Sequence, residues 1–317
     1  MWFKNIFRRP GNKSKQPSGM AGRGPSSLFD EGFLRRLERL SLQAQKTLRG
    51  SPISGEHPGR HFLPSSIFSD YRPYTVGDDI RYIDWNVYAS HDDLVLKLGE
   101  ADQEVDVHLL LDVSRSMACG HPPKLRVVLQ LAGTLGYLSL THSDRVYVVP
   151  FGSAALRPFG PARGKGRLME LLRYLEAVPY QQHTNLGATL RQHARTHQRG
   201  GMLVLCSDLL TSEGLNEGLQ VLRPPRWQVI VFHMIDPTEL EPAEHGPLDL
   251  VDSETGQHLS LMVNDALLEE YRQKTSRWQE HLETTCARHG AAYVPMLTTW
   301  SLERQIVPFL RSRRLLV

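Results

Sequence analysis

The sequence predicts an α/β fold built on a doubly wound, mostly parallel sheet. Three observations predict it. Val105 to Leu111, V-D-V-H-L-L-L, is a short apolar run with two polar interruptions, Asp106 and His108. Such a run suits a strand covered on both faces. It ends in a polar loop, Asp112-Val113-Ser114-Arg115-Ser116, followed by Gly120, Pro122, Pro123 and a long apolar periodic segment. From there onward strand-like and helix-like segments alternate, the pattern of parallel strands joined by crossover helices.

Taken in order, residues 1–27 are a basic tail rich in Gly, Pro and Ser. Trp2, Phe3, Ile6 and Phe7 would share a helical face beside Lys4, Arg8 and Arg9, which suits a peripheral membrane or docking peptide. About two turns of helix bind weakly, so a disordered tail is the expectation. Ser27-x-x-Asp30 reads as a capping box opening a helix to about Leu48, with Phe33, Leu37, Leu40, Ala44 and Leu48 as its apolar stripe. Gly50, Pro52, Gly55, Pro58 and Gly59 then break the chain.

Residues 60–104 read as irregular and then extended. Leu94 to Leu98 is expected to return antiparallel to the 105–112 strand. The stretch Phe68 to Asn86 interleaves Asp70, Arg72, Asp78, Asp79, Arg81 and Asp84 with Phe68, Tyr71, Tyr74, Tyr82 and Trp85. Charges among large aromatics are expensive to bury unless paired. An ion-pair network pinning this module to the next domain is expected. A partner surface centred on Arg72, Arg81 and Trp85 is the functional counterpart, because Trp, Tyr and Arg are common hot spots.

Helices are expected at about 125–140, 168–175, 186–197, 215–222, 265–289 and 302–310. Strands are expected at 145–151, 202–206, 228–235 and 292–295. Residues 152–166 read as a Gly/Pro loop, and 237–263 as an insertion with a hairpin near Glu254-Thr255-Gly256. The organisation is thus a tail (1–27), an N-terminal α+β module (28–104) packed on the sheet, and the α/β domain (105–317).

Composition narrows the function. The 317 residues are 40% hydrophobic and 22% charged, as in a soluble globular protein. Residues 1–60 hold 12 Lys/Arg and 4 Asp/Glu, so +8, and the remainder holds 25 and 30, so −5. A mildly acidic body argues against nucleic-acid binding. Three unpaired-looking cysteines, Cys119, Cys206 and Cys286, fit a reducing compartment. No apolar run approaches the ~20 residues of a membrane helix, and no secretory signal is apparent. A cytoplasmic location is expected.

The chemistry gathers at the carboxyl ends of the strands, where open parallel sheets bind ligands. Asp112, Ser114 and Ser116 present oxygens at alternate positions, Thr184 precedes a helix, and Asp208 ends a strand. Hard oxygen donors suit Mg²⁺, Mn²⁺ or Ca²⁺. The same residues also suit helix caps and polar turns. Gly160-Pro-Ala-Arg-Gly-Lys-Gly166 is one residue short of a phosphate loop and lacks its Ser or Thr. His193 and His197 lie one turn apart without a glutamate base, and read as a solvated helix face. No Gly-x-Ser-x-Gly elbow supports a serine hydrolase.

At these residues the chain resembles the von Willebrand factor A fold. D-x-S-x-S at 112–116, Thr184 and Asp208 look like a metal-ion-dependent adhesion site. The resemblance implies Mg²⁺ on the Ser114 and Ser116 hydroxyls, with Thr184 binding directly or through water. It implies Asp112 and Asp208 acting largely through water, and a partner's Asp or Glu completing the sphere. More of the chain, about 50–300, resembles the bacterial and archaeal family called domain of unknown function 58. Asp70-Tyr-Arg-Pro-Tyr, Gly77-Asp-Asp-Ile-Arg, Ile83-Asp-Trp, L-L-L-D-V-S-R-S-M, Ser207-Asp-Leu-Leu and Leu250-Val-Asp-Ser-Glu-Thr-Gly256 carry that resemblance. It departs at Ala89-Ser-His91, where an Arg-Thr pair is common. The resemblance implies partnership with a MoxR-type AAA+ ATPase in chaperone-like maturation, assembly or metal insertion. The expectation is a non-enzymatic, metal-dependent adaptor, with Arg115 and Arg163 placed to meet an acidic partner. A divalent-metal hydrolase or phosphatase using the same rim is the alternative.

Overall fold

The computed structural model describes residues 5–7, 28–48, 68–76, 78, 80, 83–91, 93–99, 105–152, 156–181, 185–210, 214–242, 245–252, 258–301 and 305. In chain order the elements are β1 (Asn5–Phe7), α1 (Glu31–Leu48), β2 (Phe68–Pro73), α2 (Trp85–His91), β3 (Val95–Gly99) and β4 (Asp106–Asp112). There follow α3 (Lys124–Thr141), β5 (Arg145–Phe151), β6 (Phe159–Ala162), α4 (Leu168–Glu176), α5 (Leu186–Thr196) and β7 (Gly201–Ser207). The rest comprises α6 (Leu215–Val221), β8 (Trp227–Ile235), α7 (Pro237–Leu240), β9 (Gly246–Asp252), β10 (His258–Val263), α8 (Asp265–Arg288) and β11 (Ala292–Leu297).

A six-stranded sheet in the order β11-β8-β7-β4-β5-β6 forms the centre, parallel except for β6. All seven residues of β4 are buried, as its apolar run requires. The chain winds to one side from β4 to β5 and to the other through β7, β8 and β11. The switch point therefore lies between β4 and β7, and the crevice beyond their carboxyl ends is the place where such sheets bind ligands. One apolar core, with Leu109 and Leu111, collects α1, α3 and α4; a second, with Leu110, collects α5, α6 and α8.

Several expectations are corrected. The chain separates into two compact units, residues 1–49 with 105–317, and residues 50–104. Helix α1 therefore belongs with the sheet and not with 50–104: Phe29, Phe33 and Leu37 lie in the first core. Its cap is Asp30, whose Oδ1 accepts the Phe33 N–H at 2.7 Å. Asn5–Phe7, within the stretch expected to be disordered, pairs antiparallel with β9. The Gly/Pro loop at 152–166 holds β6, an edge strand, where proline is tolerated. Strand β3 pairs with β2 instead of β4. Of the helix expected at 302–310, Gln305 alone is described. Strands β9 and β10 form the expected hairpin within 237–263. Among the described residues no helix is long and apolar enough to cross a membrane.

In the 50–104 unit, β2, β3 and α2 are held by polar bonds. Arg72 pairs with Asp78 at 2.9 Å, and Asp78 also accepts from the Thr75 N–H and hydroxyl. The Tyr71 hydroxyl donates to buried Asp84 at 2.9 Å. These bonds join residues of one unit.

Candidate metal-binding rim

Strands β4 and β7 are in register with Leu111 opposite Cys206, which brings Asp112 beside Ser207 and Asp208. The Ser207 hydroxyl donates to Asp112 Oδ2 at 2.6 Å and accepts the Leu209 N–H at 3.0 Å. Leu209 is buried with φ 53°, a conformation a leucine adopts only where its surroundings enforce it. Asp112 Oδ1 accepts the Ser114 N–H at 2.9 Å, folding the loop back so that Ser114 Oγ stands 3.0 Å from Ser116 Oγ. Asp112, Ser114, Ser116 and Asp208 are all buried. Four of the five expected ligands thus lie at the carboxyl ends of β4 and β7 or in the loops that follow; Thr184 lies outside the described residues.

The loop is anchored at its far end. Gly120 has φ 94°, and a Cβ there would stand 2.6 Å from Asp236 Oδ2. The same oxygen accepts the His121 N–H at 3.0 Å and the Thr298 hydroxyl at 3.1 Å. Asp236 also caps α7 in a reciprocal box with Glu239. One carboxylate after β8 therefore ties the loop after β4 to the loop after β11.

The sequence reading missed a cation. Lys124, at the first turn of α3, is fully buried, and its Nζ donates to Asp208 Oδ2 at 3.0 Å and Glu239 Oε1 at 2.5 Å. Burial would lower its pKa, but the two carboxylates override that and hold it above its ordinary value. A positive charge at a helix N-terminus opposes the helix dipole. A lysine there needs anions close by, and Asp236-Pro-Thr-Glu239, which spells a capping box, was the sequence signal for one of them.

Asp112 has a different environment. The Ser207 hydroxyl and the Ser114 N–H that donate to it are neutral. Burial, then the neighbouring Asp208, push its carboxyl up to about 7. A carboxylate in that position gains from a cation. Two hydroxyls and two carboxylates are the hard-oxygen donor set that Mg²⁺ takes, so the residues present fit the ion. Asp208 accepts Lys124 on one oxygen and the Leu210 N–H on the other, at 3.3 Å, which suits a role through water.

The residues expected to touch partners are scattered. Arg115 and Arg163 are exposed, Arg72 is engaged with Asp78, and Arg81 lies outside the described residues. Trp85 is 58% exposed and meets Tyr88 edge-on, with ring centroids 6.2 Å apart.

The chain resembles a conserved hypothetical protein, BatB from Bacteroides thetaiotaomicron, at 15% identity and TM-score 0.41, over 66% of this chain and 98% of that one. It resembles the SpRpn10 VWA domain at 10% identity and TM-score 0.36, over 65% and 94%. The uncharacterized protein Rv1480 of Mycobacterium tuberculosis is 25% identical over 290 residues, 90% of this chain and 91% of the relative. Uncharacterized protein Mb1516 of Mycobacterium bovis matches to the same extent. The family described as "Protein of unknown function DUF58" matches residues 70–281, spanning the Arg72–Asp78 unit, the rim and most of α8, and the chain belongs to that family.

Proposed function

We propose that this protein is a metal-ion-dependent adaptor that binds another protein through the rim of Asp112, Ser114, Ser116 and Asp208. The observation that most supports this is Asp112, a buried carboxylate bonded to neutral donors beside two hydroxyls 3.0 Å apart. Ser114 and Ser116, with Thr184, would hold Mg²⁺, and Mn²⁺ or Ca²⁺ would use the same oxygens. Bound there, the ion supplies a coordination position that an Asp or Glu of the partner completes. Exposed Arg115 and Arg163 add charge for an acidic surface. Family membership favours a MoxR-type AAA+ ATPase or its client as that partner, in chaperone-like maturation, assembly or metal insertion.

A hydrolase on the same rim needs a base to activate water. Two candidate bases beside the rim are engaged. Glu239 accepts from Lys124 and from the Asp236 N–H, and buried His233 shares its Nδ1 with the Tyr293 hydroxyl at 2.6 Å. This favours binding over catalysis.

The test is co-purification with a MoxR-type ATPase, with and without chelator, and with Ser114→Ala. Association should fall at least tenfold in chelator and in the variant, with the thermal melt unchanged in the variant. Asp208→Ala is a poorer probe because it leaves Lys124 with Glu239 alone. Association that survives both treatments removes the rim as the docking site, and exposed Tyr71, Trp85 and Tyr88 then become the better candidates. Mg²⁺-dependent phosphatase turnover that Ser114→Ala abolishes would establish the hydrolase instead.

A further inference from the structure

A second cluster of metal-ligating side chains lies on the same strand as the rim, four residues towards its start. His108 of β4 is fully buried. Helix α5 lays His193 and, just past its last turn, His197 against it, because positions i and i+4 share a helix face. The ring centroids stand 4.8 Å (His108–His193), 4.7 Å (His108–His197) and 4.4 Å (His193–His197) apart. One ligand nitrogen from each histidine can be chosen so that all three lie within 4.8 Å of one another.

The nitrogens are short of partners. Both ring nitrogens of His108 and Nε2 of His193 are buried without a hydrogen bond, and the two residues are 0% and 5% exposed. Buried polar atoms are nearly always satisfied, and unsatisfied ones call for a cause such as an ion. The walls hold the rings in place. Tyr147 stacks on His108 at 4.6 Å and 14°, and Trp227 packs on it at 5.1 Å. This corrects the expectation that His193 and His197 form a solvated face: His193 is buried and His197 half-buried.

We propose that His108, His193 and His197 bind Zn²⁺ through three imidazole nitrogens, at a site separate from the rim. Imidazole donors suit zinc, whereas Mg²⁺ and Ca²⁺ prefer oxygen. Zn–N bonds of 2.0–2.1 Å in a tetrahedron put ligand nitrogens about 3.3 Å apart, so the rings close on the ion by small rotations. Three protein ligands leave the fourth position to water, since the nearby Asp106 carboxylate is paired with Arg145 at 2.6 Å. The ion clamps the last turn of α5 to β4. Helix α5 begins at Leu186, two residues after Thr184 in the sequence, so the clamp fixes the register of the helix that follows that threonine. The proposal does not depend on the adaptor reading.

The test uses the full chain without a histidine tag. Metal-stripped protein is titrated with Zn²⁺ and with Mg²⁺ by calorimetry, and Co²⁺ substitution reads coordination by visible absorption. One equivalent of Zn²⁺, a tetrahedral Co²⁺ spectrum and a higher melting temperature with Zn²⁺ are expected. Affinity should fall at least tenfold in His197→Ala, whose half-buried position spares the core, and stay unchanged in Asp112→Asn. Absence of stoichiometric Zn²⁺ binding, or binding undiminished in His197→Ala, overturns the site. Binding lost in Asp112→Asn and kept in His197→Ala moves the ion to the rim.

Discussion

Strand β4 carries two polar centres, and they differ in how the chain builds them. At its carboxyl end, Asp112, Ser114 and Ser116 come from one loop, local in sequence. Four residues earlier, His108 meets histidines from α5 that only the folded topology brings near. Leu110 lies between the two and is fully buried, so a dry layer separates them. The charge also differs. At the rim Asp208 and Glu239 pair with one built-in cation, Lys124, and Asp112 is held by neutral donors, whereas the histidine cluster is a set of imidazoles whose burial keeps them neutral. The rim thus carries its own ammonium among carboxylates, and the histidine cluster offers nitrogen lone pairs among aromatic rings.

The largest effect comes from removing the rim's own cation. Lys124→Met keeps the length of the stem and deletes the ammonium, leaving Asp208 and Glu239 without it. Breaking a buried pair in this way costs about 3–5 kcal/mol. A chemical-denaturation curve in chelator measures that loss. Added Mg²⁺ should restore part of it, because the vacated negative charge attracts the ion, and Mg²⁺ affinity should exceed that of wild type. A Lys124→Met protein that melts like wild type, or that ignores Mg²⁺, breaks the picture of a rim balanced by its lysine.

That lysine marks the limit of what the sequence made legible. The sheet was readable because strand and helix periods alternate cleanly from residue 105, and because β4 and β8 are near-continuous apolar runs. The oxygen donors were readable because D-x-S-x-S is contiguous and ends a strand. Lys124 was not, since a lysine after Pro122-Pro123 looks like any solvated helix start until the loops after β7 and β8 place carboxylates against it. His108 looked like a polar blemish in a strand, and its partners lie on a helix that the sequence does not aim. Strand β6 was hidden by Gly160 and Pro161, residues that an edge strand accommodates and a loop favours.

A smaller effect separates the two centres by the sign of their pH response in metal-free protein. Burial, with the neighbouring histidines, holds His108 down at about 3, and His193 is likewise at about 3. The unfolded chain takes up protons near pH 6.5 and the native state does not, so this stability is present above that pH and lost as pH falls toward 3. Each such histidine contributes up to about 1.4 kcal/mol per pH unit. Asp112 works the other way. Its folded pKa is raised to about 7, so its contribution is present below the ordinary carboxylate range and lost as pH rises towards 7. Between about pH 5 and 6 the two oppose each other. In chelator, Asp112→Asn should steepen the loss of stability on acidification, and His108→Phe, which keeps the stack on Tyr147, should flatten it. Equal slopes in wild type and both variants would show that neither group is buried as described.

The smallest effect is expected at a third ion pair, which serves as a control for burial. Arg72 and Asp78 meet at 2.9 Å on β2 and its following turn, with side chains 41% and 22% exposed. The guanidinium, then the Thr75 N–H and hydroxyl, hold the Asp78 carboxyl well below its usual range. A carboxyl with a lowered folded pKa lends stability above the unfolded value of about 4, and that stability disappears as pH falls further. Exposed pairs contribute little and are screened by salt. Raising the salt concentration at neutral pH should therefore erase most of the difference between wild type and Arg72→Ala, while leaving the Lys124→Met deficit almost untouched. If salt rescued Lys124→Met to the same degree, the ammonium at the rim would be solvated, and the contrast between a buried cation and an exposed one would fail.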